Sequence, residues 1–294
     1  MVPSINFTKW RAGKNGQAEF AYEFGHACET IGFAVITGHH IAPEFLVTAY
    51  ECAAKLFSHT DKELMPYAIP AECRQQGPGF VPFGIETALG EKIADQKRYW
   101  DIYRERLSNP WPNSLVPQFQ PTMLKLFRLL DKLSTNLTQA LEIYLKLPEG
   151  ELQKMIRGSP QTMMRVHHYP PIIGEHQGER GAAHTDLNFL TLLPAATHPG
   201  LQVKPLGKEW LPVNESCDSI VVNVGDMLRL VSNERFQSTL HRVVNPSDPG
   251  LRYTPRYSLP FFVQPANRTV IVKATGYTAG DYFSDRIAAA NAQG

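Results

Sequence analysis

The chain has 294 residues, of which 43% are hydrophobic, and a formal net charge of +1. A chain of this length can bury one substantial core, and its balanced charge gives no reason to expect nucleic acid or an anionic membrane as a partner. No apolar run approaches the roughly 20 residues of a membrane span, and the N-terminus lacks a basic segment followed by an apolar one. We therefore expect a globular, cytoplasmic protein that acts on a small molecule. The sequence does not indicate its oligomeric state.

The four cysteines are too sparse for a disulfide scaffold and form no CxxC pair. We interpret Cys28, Cys52, Cys73 and Cys217 as reduced thiols. Cys28 and Cys52 fall within predicted helices and are expected to lie in the core.

The N-terminal part is predicted to combine short strands with two amphipathic helices. A candidate strand at 2–7 precedes a helix over 17–31, where apolar side chains recur at helical spacing. Gly32 is expected to end this helix. Residues 33–38 are then predicted to form a strand, and residues 43–57 a second helix.

Residues 74–118 are rich in glycine and proline and are predicted to form an irregular segment that covers another part of the molecule. Phe80 and Phe83 are candidates for a lid over a pocket, and packing of the loop itself is an equal alternative. From Pro121 to Leu147, apolar residues recur every three or four positions. This spacing predicts one long amphipathic helix that supports a sheet.

From Thr162 onward the pattern changes to short strands separated by Gly, Pro, Asn and Asp, which favours an antiparallel β-sandwich or jelly roll. The predicted strands are 163–170, 184–193, 201–204, 219–224, 226–231, 239–244, 256–263 and 269–272. The residues after Gly280 are expected to form a helical tail.

The predicted fold class is α+β with a mainly β core: a double-stranded β-helix flanked by N-terminal helices. We divide the chain into an N-terminal helical and strand region (1–118), a long supporting helix (119–150) and the β core with its tail (151–294). No linker or internal repeat separates these segments, so we expect one compact unit.

The chemistry is concentrated in the stretch Gly181–Leu187 and in one distant histidine. Residues two apart on a strand project to the same face, so His184 and Asp186 would present an imidazole and a carboxylate side by side. Antiparallel pairing could bring His241 opposite them. Two imidazoles and one carboxylate on one face of an iron leave open positions for a cosubstrate and O2. A short H-x-D triplet is weak evidence alone, and its downstream context strengthens it.

Arg256 and Ser258 follow His241 and share one face of a predicted strand. A guanidinium fork beside a hydroxyl suits a carboxylate, because Arg offers paired donors in the plane of the carboxylate oxygens. The metal ligands and the carboxylate anchor therefore follow one another in an order that is compatible with one binding site.

Several segments resemble the isopenicillin N synthase-like family of Fe(II) and 2-oxoglutarate-dependent oxygenases. They include AYEFGHACETIGFAVITGHHI and FSHTDKE near the N-terminus, and HTDLNFLTLL, GLQV, VVNVGDML, LVSNERFQSTLHRVV and RYSLPFF in the second half. They occur in the family's order with compatible spacing. The resemblance covers most of the chain.

The resemblance implies a role for each motif residue. His184, Asp186 and His241 would bind Fe(II) and act in catalysis. Arg256 and Ser258 would hold the distal carboxylate of 2-oxoglutarate, and the hydroxyl of Tyr169 would contact the same group. His167 stands where many relatives have Asn, and it would contact the cosubstrate from that position. Arg165 shares the face of His167 and Tyr169, and could contact substrate or be a structural arginine.

The implied activity is that of a dioxygenase that consumes O2 and 2-oxoglutarate, releases succinate and CO2, and can use ascorbate as reductant. The primary substrate would be a small metabolite. Asp186 stands where halide-using relatives have a small residue, so hydroxylation, desaturation or cyclisation is favoured over halogenation. An iron oxidase of the same fold that does not use 2-oxoglutarate is one alternative, because isopenicillin N synthase and aminocyclopropane carboxylate oxidase share the R-x-S motif. A non-catalytic protein that binds a small acid is another, and a zinc hydrolase a third, although no Glu base is placed beside the triad.

Overall fold

The computed structural model describes most of the chain, namely residues 1–70, 77–85, 95–104, 109–174 and 179–291. Cys73 and parts of the predicted irregular segment lie outside these ranges. Among the described residues, no helix combines the length and apolarity needed to cross a bilayer.

Helices occur in both halves of the described chain, and those of the second half are short apart from the one near the C-terminus. Their bounds are α1 (Lys14–Thr30), α2 (Pro43–Phe57), α3 (Asp61–Leu64), α4 (Phe119–Leu145), α5 (Gln153–Ile156), α6 (Asp226–Val231), α7 (Pro249–Arg252) and α8 (Ala279–Asn291). Short 3-10 helices cover Phe7–Arg11 and Met65–Tyr67.

The strands lie mainly in the second half. Their bounds are β1 (Ser4–Asn6), β2 (Phe33–Thr37), β3 (Gly79–Val81), β4 (Arg98–Tyr103), β5 (Met163–Tyr169), β6 (Gly181–His184), β7 (Leu190–Pro194), β8 (Leu201–Lys204), β9 (Leu211–Pro212), β10 (Ile220–Val224), β11 (Leu240–Val243), β12 (Arg256–Ser258), β13 (Phe261–Val263), β14 (Val270–Val272) and β15 (Tyr277–Thr278).

Two sheets form the β core. The larger has nine strands in the order β1-β2-β10-β7-β13-β5-β4-β3, with β12 also paired to β5, and the smaller has the order β6-β11-β8-β9. Apart from the parallel β1–β2 pair, the pairings within these two sheets are antiparallel. This arrangement of two sheets and flanking helices confirms the predicted α+β class.

The larger sheet buries both of its faces. One face packs on the helices and contributes to a hydrophobic cluster with residues such as Phe24, Leu137 and Val222. The other face contributes to a smaller cluster in which Val221 of β10 packs with Val203 of β8 in the smaller sheet. Alternate residues of one strand therefore belong to different layers, as expected for a pleated strand buried on both sides.

The long helix α4 forms because its buried positions recur every three or four residues over 27 positions. It ends at Lys146, which has a left-handed backbone conformation with φ 55°. The predicted end of α1 at Gly32 is also observed. Gly32 has φ +75°, and a Cβ there would lie 2.1 Å from the carbonyl oxygen of Gln237, so the position requires glycine.

Four secondary-structure predictions need correction. Residues 226–231 form the helix α6 rather than a strand, because a short apolar run fits either structure until its packing is known. The predicted strand 184–193 is interrupted between β6 and β7, and 256–263 is divided into β12 and β13. The segment 74–118 is not wholly irregular, since it contributes β3 and β4 to the larger sheet.

Candidate metal centre and cosubstrate pocket

The two sheets bring three predicted metal ligands together. His184 is the last residue of β6, and His241 of β11 is its direct partner in the antiparallel register. Asp186 lies two residues beyond His184, in the connection to β7. Its Oδ1 is 3.7 Å from Nε2 of His184 and 3.6 Å from Nε2 of His241. The three ligand atoms lie within 4.8 Å of one another, so one ion could contact all of them.

Backbone carbonyls determine which nitrogen each imidazole presents. The Nδ1 of His184 lies 2.8 Å from the carbonyl oxygen of Ala182, and the Nδ1 of His241 lies 3.1 Å from that of Thr239. Because a carbonyl oxygen only accepts, each Nδ1 must carry the proton and donate it. Both Nε2 atoms are then left with a lone pair directed at the shared centre, as a metal site requires.

The two oxygens of Asp186 have different environments. Its Oδ2 accepts hydrogen bonds from Oγ1 of Thr191 at 2.5 Å and from Nδ2 of Asn223 at 2.8 Å, which leaves Oδ1 facing the imidazoles. Burial acts to raise the pKa of Asp186. The neighbouring His241 and His184 and the two hydrogen bonds act against burial, and the net result is a pKa below the ordinary value. The carboxylate is thus held ionised and oriented.

Burial also keeps His241 neutral. Its side chain is 10% exposed, and burial, with the nearby His184, lowers the pKa of His241 to about 4 despite the opposing effect of Asp186. A neutral imidazole is the form that binds a metal. Two imidazoles and one carboxylate are the ligand set of the non-haem Fe(II) oxygenases.

A second group of predicted residues lies where β12 pairs with β5. Arg256 stands opposite Tyr169, and Ser258 stands opposite His167. Arg256 is only 1% exposed, and its Nε donates to the carbonyl oxygen of His198 at 2.9 Å. Its Nη1 and Nη2 have no hydrogen-bond partner among the described residues. A buried guanidinium with two open donors fits a carboxylate of a bound acid.

The neighbours of Arg256 form a connected polar group. The Nδ1 of His167 lies 3.3 Å from Oγ of Ser258 and 3.4 Å from the hydroxyl of Tyr169. The ring of Tyr169 also lies 5.1 Å from the guanidinium carbon of Arg256. The structure therefore brings together all four residues that the sequence analysis linked to the cosubstrate.

The three residues predicted to contact the substrate have different surroundings in the structure. Arg165 lies on the same face as His167 and pairs with Asp101 through two hydrogen bonds, of 2.7 and 2.9 Å. Phe80 is fully buried in the core beside the helices, which favours packing, the alternative to a lid. Phe83 lies against His168, on the other face of β5. Strand alternation explains the position of Phe80. Its strand pairs with β4 and β4 pairs with β5, and in this register Phe80 lies on the sheet face opposite the metal ligands.

Three polar residues of the site were not predicted from sequence. Thr191 and Asn223 hold Asp186, although the sequence analysis placed both only within predicted strands. Arg180 is 1% exposed, and its Nη2 donates to the carbonyl oxygen of Thr254 at 3.2 Å. The sequence contained one signal for Arg180. It precedes His184 by four positions in an extended segment, and side chains an even number of positions apart project to the same face.

Comparisons with known proteins agree with this geometry. The model of the 2OG-Fe(II) oxygenase superfamily matches residues 160–265, and the model described as the N-terminal part of non-haem dioxygenases in morphine synthesis matches residues 2–122. The 2-oxoglutarate-Fe(II) type oxidoreductase hxnY of Emericella nidulans is 30% identical over 283 residues, which cover 88% of this chain and 78% of hxnY.

Two further relatives extend the comparison. A homoarginine-6-hydroxylase of Arabidopsis thaliana is 28% identical over 79% of this chain and 67% of that protein. A full-length protein of Neurospora crassa, crystallised in complex with alpha-KG, superimposes with a TM-score of 0.87 at 25% identity. The superposition covers 98% of this chain and 96% of the Neurospora chain.

The chain belongs to the 2OG-Fe(II) oxygenase superfamily. It is an oxidoreductase of the non-haem iron class that uses Fe(II), 2-oxoglutarate and O2. The resemblance stated from sequence is confirmed.

Proposed function

We propose that the chain uses 2-oxoglutarate and O2 to oxidise a C–H bond of a small metabolite, by hydroxylation, desaturation or cyclisation. The observation that carries this proposal is the convergence of His184, Asp186 and His241 on one point. Nδ1 of each imidazole and Oδ2 of Asp186 are hydrogen-bonded to neighbouring groups, which leaves the two Nε2 atoms and Oδ1 free to bind a metal. When bound there, iron would supply the oxidising chemistry with O2.

The protein residues would position the reactants. His184, Asp186 and His241 would hold the iron, and Arg256 would bind the distal carboxylate of 2-oxoglutarate with its two open donors. Ser258 and Tyr169 would donate hydroxyl groups toward the same carboxylate, and His167 lies between them. Burial of Arg256 strengthens its interaction with an anion, because little water competes there.

A small-molecule substrate is supported by what relatives bind. The Neurospora crassa protein has also been crystallised with thymine and with 5-formyluracil, and the Arabidopsis relative is named for homoarginine. In this chain, Arg165 and Asp101 form a bidentate pair on the face of β5 that carries His167. The presence of Asp186 favours oxygen insertion or desaturation over halogenation. Cytoplasmic location remains a prediction from the sequence.

The first experiment measures succinate. Purified protein with Fe(II), ascorbate and 2-oxoglutarate should form succinate slowly even without the primary substrate, and Asp186→Ala should reduce this to background because a ligand is lost. Asp131→Ala is a matched control, since Asp131 lies on α4 and pairs with Arg104 away from the site. Unchanged succinate formation by Asp186→Ala would refute the ligand assignment.

Oxygen uptake tests the nearest alternative. If the chain were an oxidase that does not use 2-oxoglutarate, the addition of 2-oxoglutarate would leave oxygen consumption unchanged. We expect consumption to depend on 2-oxoglutarate and to match succinate release mole for mole. A screen of candidate metabolites by stimulation of succinate release would then identify the substrate.

A further inference from the structure

A second buried guanidinium lies close to Arg256. Arg180 is among the largest fully buried side chains of the molecule, at 1% exposure. Within the described ranges it makes one hydrogen bond, from Nη2 to the carbonyl oxygen of Thr254, two residues before Arg256. Its Nε and Nη1 have no partner among the described residues. Buried N–H donors are normally hydrogen-bonded in protein interiors, so these two unpaired donors suggest that a ligand binds here.

The strand register places both arginines at one end of the smaller sheet. Gly181, which follows Arg180, pairs with Val243, and Val243 pairs with Leu201. The carbonyl that Arg256 contacts belongs to His198, three residues before Leu201. His184 and His241 pair at the other end of the same strands. Arg180 and the carbonyl that Arg256 contacts therefore lie toward the opposite end of these strands from the metal ligands.

The charge of this pair has no direct counterion among the described residues. Burial and the neighbouring Arg256 lower the pKa of Arg180 to about 10. Glu215 is the nearby acidic group, and burial raises its pKa to about 7 although Arg256 acts in the opposite direction. In the described part of the chain, Oε2 of Glu215 has no hydrogen-bond partner. Two buried cations without an anion are unfavourable until a ligand supplies one.

We propose that Arg180 is a second binding residue for the distal carboxylate of the 2-oxo acid and forms a two-arginine clamp with Arg256. A carboxylate has two oxygens with about four lone-pair sites. The clamp offers a matching set of open donors, namely Nη1 and Nη2 of Arg256 with Nε and Nη1 of Arg180. The inference rests on the proposed use of 2-oxoglutarate, and it makes the clamp selective for an acid with two carboxylates.

Calorimetric titration of the Mn(II)-loaded protein tests the clamp without turnover. The ligands are 2-oxoglutarate and 2-oxobutyrate, which lacks the distal carboxylate. Arg180→Gln should raise the Kd for 2-oxoglutarate by roughly 10- to 100-fold, the usual effect of losing a charge-assisted hydrogen bond, and leave the Kd for 2-oxobutyrate unchanged. Arg104→Gln is the matched control, because Arg104 pairs with Asp131 outside the site. It should leave both constants unchanged.

The outcomes separate binding from structure. An unchanged Kd for 2-oxoglutarate in Arg180→Gln would overturn the inference, and so would equal weakening of both acids, which indicates a structural role. Without ligand, Arg180→Gln should melt no lower than the wild type, because it removes a buried like-charge repulsion. Arg180→Lys, which keeps the charge but not the fork, provides a second variant and should bind 2-oxoglutarate with intermediate affinity. Failure of the wild type to bind 2-oxoglutarate would overturn the proposed function itself.

Discussion

Single residues of the candidate site depend on partners that lie outside its motifs. The H-x-D pair supplies two ligands, but Thr191 and Asn223 decide which oxygen of Asp186 faces the metal position. Partners of this kind orient metal ligands and tune their basicity. Their contribution explains why a short motif in the sequence is weak evidence, whereas the same motif with its hydrogen bonds is strong evidence.

Glu215 leads to a prediction about pH at the residue scale. Burial raises the pKa of Glu215 to about 7 in the folded chain, above its value in an unfolded chain. Its contribution to stability is therefore present at low pH and is lost as the pH rises through about 7. Glu215→Gln should become more stable relative to wild type as the pH increases from 5 to 8, by roughly 1–3 kcal/mol. Urea denaturation at the two pH values measures this difference.

The control for this experiment is Glu149→Gln, which removes one carboxylate from an exposed position. If the unfolding free energies of wild type and Glu215→Gln followed parallel courses from pH 5 to 8, Glu215 would not be held protonated by burial.

At the scale of elements, the C-terminal helix α8 is tied to the metal-binding loop. The hydroxyl of Tyr282 donates to Oδ2 of Asp226 at 2.7 Å, and the same oxygen accepts from Oγ1 of Thr185 at 3.2 Å. The backbone N–H of Asp226 donates to the carbonyl oxygen of Asp186 at 2.7 Å. Thr185 lies between the two ligands His184 and Asp186. The helix therefore helps to hold the segment that carries both.

Tyr282→Phe should weaken metal binding, because the loss of its hydrogen bond loosens Asp226 and the adjacent loop. We expect a rise in the Kd for Mn(II) of roughly up to 10-fold, at the lower end of effects seen for residues around metal ligands. Titration followed by electron paramagnetic resonance measures this constant. Tyr277→Phe is a matched control, since its hydroxyl bonds to Asp285 within the C-terminal segment. Equal Mn(II) affinity in the two variants would contradict the tether.

The elements also differ in how well the sequence predicted them. Helix α4 was found because its apolar spacing repeats over many turns and needs no information from elsewhere in the chain. Helix α6 was mistaken for a strand because six residues do not distinguish the two periods. Packing also restricts the residue before this helix, since a Cβ at Gly225 would lie 2.2 Å from the carbonyl oxygen of Asn188.

At the scale of the whole molecule, one hydrophobic cluster joins the three predicted segments. It contains residues of α1 and α2, the buried side of α4, and strands of the larger sheet such as β7 and β10. We propose on this basis that residues 1–118, 119–150 and 151–294 fold as one unit. Segments that share a continuous core are expected to unfold together.

Calorimetry of a core variant tests this unit. Leu137→Ala in α4 should lower the stability by roughly 2–5 kcal/mol, because it leaves a cavity at a fully buried position, and the single transition should remain. Leu137 has 0% exposure, whereas Ile143 on the same helix is 46% exposed, so Ile143→Ala is the control with little expected effect. Two separate transitions, in the wild type or in Leu137→Ala, would show that the segments unfold independently.

The sequence by itself determined the kinds of residues in the site, their order, and the long helix, because these follow from composition, local spacing and resemblance. Only the tertiary structure decided which distant residues meet. It placed Phe80 in the core, brought Asn223 to Asp186, and set Arg180 near Arg256, 76 positions away along the chain. The physical reason is that local periodicity specifies which face of a strand a side chain occupies, while convergence depends on the register between strands remote in sequence.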